Sequence, residues 1–140
     1  MTGDLIRLGM RAVECKSWRW LPGMLYQYRE ESDEVTVPTK HYWCDPTRVR
    51  DHDPDTPACS GGLSIPDLTD PATVGCLLAL VRSAYSDPWF YVRPSDTYRP
   101  DGALGWECFG YLPGRDGGSW RGSGYASEVE ALVAALEAAP

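Results

Sequence analysis

His41, Cys44, His52 and Cys59 bring two imidazoles and two thiols into one stretch of chain, and these are the ligand types that tetrahedral zinc takes. A bound zinc would order a segment that has few core-forming residues. Only His41 and Cys44 have the tight separation of paired ligands, so the stretch also reads as a polar loop with two surface histidines. Asp51, Asp53 and Asp55 alternate like the start of a calcium loop, but Thr56 stands at the sixth position and Gly62 at the twelfth, where such a loop needs Gly and Glu. Hydrolase parts are missing as patterns: there is no Gly-x-Ser-x-Gly and no His-Glu-x-x-His. Glu107, set in an apolar run, reads as a buried acid, and a single carboxylate is half of an acid–base mechanism. These observations point to a binding protein rather than an enzyme.

The binding chemistry on offer is aromatic and cationic. The chain has six Trp and eight Tyr in 140 residues, and several stand beside arginine. Trp18, Arg19, Trp20, Arg93, Trp120 and Arg121 form the candidate ligand-binding set, since indole faces and guanidinium planes suit a small planar or anionic ligand, or a hot spot for a protein partner. Strand aromatics that only build a core are the competing explanation. The run Gly117-Gly-Ser-Trp-Arg-Gly-Ser-Gly124 precedes a capped helix and could cradle an anion beside Arg121, although it fits no Walker or dinucleotide fingerprint and reads also as a strand connection.

Net charge narrows the partners. The formal charge is −7, and residues 30–70 hold ten of the twenty acids against Lys40, Arg48 and Arg50. That imbalance excludes general nucleic-acid binding, which needs a basic stripe. The acidic lobe either keeps the chain soluble or imitates a phosphate array toward a basic groove on another protein. Eleven of the thirteen bases are arginine, the side chain that grips carboxylate or phosphate with a fork of donors.

The elements that must position these groups are readable in part. Leu5, Leu8, Gly9 and Ala12 recur at helical spacing opposite Arg7, Arg11 and Glu14, which predicts an amphipathic first helix over 3–15. Pro22-Gly23 signals a type II turn, and Met24 to Arg29 alternates as a strand that pairs with Val35 to Val37 around the charged tip 30–34. Residues 41–65 lose periodicity and read as one long irregular loop. Asp70 and Pro71 then start a helix that ends before Asp87-Pro88, and Val74 to Val81 carries no polar side chain. A helix apolar on all sides is a central core helix, with Val74, Leu77, Leu78, Leu80 and Val81 inside. Trp89 to Arg93, Leu104 to Leu112 and Trp120 to Tyr125 read as strands, with a turn at 113–118. Ser127 and Glu130 frame a capping box ahead of the stripe Val129, Leu132, Val133 and Leu136. Strands in runs predict an α+β domain over 1–140: an antiparallel sheet of four to five strands packed with three helices, one central and buried. An odd count of five cysteines and the absence of a membrane-length apolar run predict a cytoplasmic protein with reduced thiols and no membrane association. A homo-oligomer stays open.

The segments Leu8-Gly-Met-Arg-Ala-Val-Glu-Cys-Lys-Ser-Trp-Arg-Trp-Leu-Pro-Gly-Met24, Pro66-Asp-Leu-Thr-Asp-Pro-Ala-Thr-Val-Gly-Cys-Leu-Leu-Ala-Leu-Val-Arg82 and Ala126 to Pro140 resemble a family of small uncharacterised proteins encoded by bacteriophages and prophages. The resemblance covers about half the chain and brings no catalytic residues. It implies a protein that works in the host cytoplasm against a host process. The expected forms are sequestration of a small nucleotide-like ligand used in host defence, or inhibition of a host protein through the aromatic patch or the acidic lobe.

Overall fold

The structure is a computed structural model that describes residues 3–30, 41–43, 62–111 and 119–140. Among the described residues three helices and six strands follow one another as α1 (Gly3–Glu14), β1 (Leu25–Glu30), β2 (His41–Trp43), β3 (Gly62–Pro66), α2 (Pro71–Tyr85), β4 (Tyr91–Tyr98), β5 (Leu104–Tyr111), β6 (Ser119–Tyr125) and α3 (Glu128–Glu137). The arrangement is α+β with antiparallel pairing throughout. Its strands are divided between two three-stranded sheets, ordered β2-β1-β3 and β4-β5-β6. The chain partitions into two compact units, residues 1–13 with 19–76, and residues 14–18 with 77–140.

In the first unit, α1 buries Leu8, Gly9 and Ala12 as its spacing requires. Gly9 lies so close to β3 that a Cβ there would meet the Ile65 side chain. The Pro22-Gly23 turn forms as expected: Met24 N donates to Leu21 O at 3.2 Å, and Gly23 takes the left-handed φ of 91° that a type II turn demands. β1 pairs with β2 at 41–43 and with β3 at 62–66. Both ends of the stretch expected to be one loop are therefore strands, because main-chain pairing with β1 needs no apolar alternation in its partners. The expected partner at 35–37 and the tip 31–34 lie outside the described residues. Asp70 caps α2 as expected, its Oδ2 accepting from Thr73 N at 2.8 Å, and the Thr73 hydroxyl in turn accepts the first N–H of β1 from Leu25 at 2.8 Å.

In the second unit, Leu77, Leu80, Val81 and Tyr85 of α2 are buried. The helix is not enclosed on every side: Gly75, Ala79 and Ser83 are exposed, and Val74 and Leu78 are only half-buried. Small residues occupy the solvent side, where a residue can be apolar without offering much area to bury. The Tyr85 hydroxyl donates to the Ala135 carbonyl at 3.0 Å, one of the last carbonyls of α3 that no helical N–H reaches. α3 starts at Ser127, whose Oγ accepts from Glu130 N, while Glu130 Oε2 reaches back to Ala126 N. Its buried stripe, Val129, Ala131, Leu132, Val133, Ala135 and Leu136, packs on the second sheet. Cys108 and Gly110 of β5 face inward, Cys108 Sγ lying 3.9 Å from Ala131 O and Gly110 lying under the Phe90 ring. Alternation along the strand then turns Glu107, Phe109 and Tyr111 to the other face.

Candidate functional site

The outer face of β4-β5-β6 carries a row of rings and guanidiniums fixed by cross-strand register. Arg93 stands directly opposite Glu107, Tyr91 opposite Phe109, and Phe109 opposite Arg121. Neighbours directly across a sheet are near enough for side chains to interact, and diagonal ones are within reach of long side chains. Tyr91 accordingly stacks on Phe109 with centroids 5.1 Å apart and planes 19° from parallel. The Arg93 and Arg121 Cζ atoms lie 5.0 and 5.1 Å from the Phe109 centroid, inside the range of cation–π attraction.

Glu107 ties the two arginines together. Arg93 Nε donates to Oε1 at 2.7 Å and Arg121 Nη2 donates to Oε2 at 3.2 Å, so each carboxylate oxygen has its own guanidinium. The Glu107 side chain is 3% exposed, whereas Arg93 and Arg121 are 51% and 62% exposed. The arginine stems thus cover the carboxylate while their heads stay at the surface. The Arg93 hydrogen bond is the main influence holding the Glu107 carboxyl below its ordinary range; burial opposes it, and the Arg121 bond adds to it. The same bond to Glu107 pushes the Arg93 guanidinium further up. A carboxylate kept ionised and held by two cations is poorly suited to accept or release a proton near neutral pH. It is well suited to fix two donor forks in place, and two guanidiniums on one carboxylate leave one net positive charge at this spot.

Of the residues singled out by type and spacing, the structure brings together Arg93 and Arg121. Trp120 lies on the backbone of β6 opposite Gly110. Arg19 and Trp20 belong to the first unit, where Trp20 meets Tyr26 edge-on with centroids 5.6 Å apart. Trp18 is half-buried and its backbone N–H donates to Cys15 O at 2.9 Å. His41 lies on β2, while Cys44, His52 and Cys59, with Asp51, Asp53 and Asp55, fall outside the described residues. Among the described residues no three metal-ligating side chains converge, and no helix is long and apolar enough to cross a membrane. The run expected to cradle an anion before α3 is, from Ser119 to Tyr125, the strand β6.

Tyr91, Phe109 and Tyr111 are the members of this face that residue type alone does not select, and Trp89 stands in the turn just before β4. The available signal is the alternation Tyr91, Arg93 on one strand and Glu107, Phe109 on the next, which places all four on one face once the strands pair in that register. No protein-family model, no curated protein and no solved structure matches the chain.

Proposed function

We propose that the protein is a non-catalytic binding protein whose outer sheet face holds a small planar, anionic ligand of nucleotide type. The observation that carries this reading is the Arg93–Glu107–Arg121 bridge beside the Tyr91–Phe109 stack. Forked donors fixed before the ligand arrives lose less freedom on binding, and planar guanidiniums recognise phosphate oxygens in pairs. Each guanidinium keeps N–H groups that Glu107 does not take, and these are the donors this face offers an anion. On the resemblance to phage-encoded proteins, the ligand is a host nucleotide signal and the protein removes it by sequestration.

The test is a thermal-shift titration of the full chain against nucleotides at low salt. A ligand present at 100 times its dissociation constant adds about 2.7 kcal/mol to stability, enough for a clear rise in Tm. Arg121→Gln, at an exposed position, should shrink that rise and its salt dependence. If no nucleotide shifts Tm, the reading fails and the face passes to a protein partner as the better account.

A further inference from the structure

At the end of β5 beyond Phe109, a second buried carboxylate ties together the backbone of two residues with exposed rings. Asp87 Oδ1 accepts the N–H of Trp89 at 2.9 Å, and its Oδ2 accepts the N–H of Tyr111 at 2.7 Å. Asp87 is buried, yet the side chains it positions are 84% and 55% exposed. Burying an ionised group is unfavourable unless its partners compensate, and here both partners are backbone amides carrying large rings into solvent. Asp87 also shapes the turn that carries Phe90, its N–H donating to Arg82 O at 3.0 Å and its carbonyl accepting from Phe90 N at 3.3 Å, while Phe90 itself supplies the buried ring over Gly110.

We propose that Trp89 and Tyr111 form the ring-binding half of the ligand site and Arg93 and Arg121 its anion-binding half, so that the face takes a nucleoside di- or triphosphate. The inference rests on the reading of this face as a ligand site and adds the ligand's length and charge. Phe109 and Glu107 precede Tyr111 by two and four residues on the same face of β5. At strand rise, the guanidiniums that touch them lie about 7–13 Å along the strand from Tyr111. A planar ring with its carboxylate attached directly cannot bridge that distance. A ribose with a single phosphate ends near its short limit, and a chain of two or three phosphates spans it. A polyanion also suits two donor forks better than one charge does.

Isothermal titration of the full chain with ATP, AMP, inorganic tripolyphosphate and benzoate tests the assignment. ATP should bind tightest, AMP and tripolyphosphate each at least tenfold more weakly, and benzoate not at all. Trp89→Ala, at a position too exposed to matter for packing, should weaken ATP about tenfold, as loss of one base–aromatic stack does, and leave tripolyphosphate unchanged. Equal affinity for ATP and AMP, or full ATP affinity in Trp89→Ala, overturns this assignment while the anion-binding reading stands. Absence of binding by every nucleotide overturns both.

Discussion

An alanine at position 110 would put a methyl group where the Phe90 ring already stands. Its Cβ would fall 2.3 Å from Cδ2 and 2.7 Å from Cε2 of Phe90, well inside van der Waals contact. The ring has little room to retreat. Phe90 is fully buried and stacks on Tyr85 with centroids 5.4 Å apart, Tyr85 is tied to Ala135, and the Phe90 carbonyl accepts from Arg82 Nε at 2.9 Å. Overpacking of this kind costs about 1–3 kcal/mol, and the stiffer unfolded chain of alanine returns about 0.4–1 kcal/mol, so Gly110→Ala should destabilise by about 1–2 kcal/mol. With a urea slope of about 2 kcal/mol per molar, the unfolding midpoint should fall by roughly 0.5–1 M, read by tryptophan fluorescence. Phe90→Leu in the same background should be cheaper than Phe90→Leu alone, because the clash disappears with the ring. The two substitutions should therefore couple by more than about 0.5 kcal/mol. A midpoint at or above that of the parent chain, or strictly additive substitutions, would refute the packing argument.

Three further outcomes are expected. Leu77→Ala should cost about 2–5 kcal/mol, and Leu78→Ala less than half as much, since Leu77 is fully buried and Leu78 half-buried; equal losses in urea would contradict the assigned faces of α2. Because Glu107 has a lowered native value, its contribution to stability is present above its ordinary value of 4.5 and disappears as pH falls through the lower native value. Acid unfolding of Glu107→Gln should consequently be less steep below pH 4.5 than that of the parent chain, and identical slopes would count against the bridge. Burial pushes the Cys108 thiol up to about 11, and the thiolate is the reactive form, so iodoacetamide at pH 8 should spare Cys108 in the native chain and label it in urea; peptide mass spectrometry showing equal labelling would place Cys108 at the surface.

Signals that act within a few residues were legible in the sequence. Asp70 with Pro71, Ser127 with Glu130, Pro22 with Gly23 and the stripe of α1 each contain their own partner nearby, and each forms where expected. Apolar count misread α2, since Gly75 and Ala79 score as apolar while having almost nothing to bury. Strands β2 and β3 were hidden because their pairing depends on β1 and not on their own alternation. Residue type picks out Arg93 and Arg121, and the apolar run around Glu107 marks it as a buried acid, but neither signal shows their union. Each arginine is 14 residues from Glu107, on a different strand, and only the register decides that both converge on it. The link between Trp89 and Tyr111 has no local signal, because Asp87 reaches Tyr111 from 24 residues away.

The two outer strands of the second sheet are irregular in different ways. β4 contains Pro94, which offers no N–H, and its register with β5 shifts between Pro94 and Tyr98. β6 changes register opposite Trp106 and Glu107, with Gly124 at a φ of 82° between the paired residues. A strand arriving from another molecule needs an unbroken ladder of donors and acceptors, and neither margin supplies one. The second sheet can therefore stand beside the exposed Trp89, Tyr91 and Tyr111 without offering a regular template for growth into fibrils. This sheet should give no thioflavin-positive growth in concentrated solution, and Pro94→Thr, which returns an N–H to the β4 margin, should be the change that promotes it.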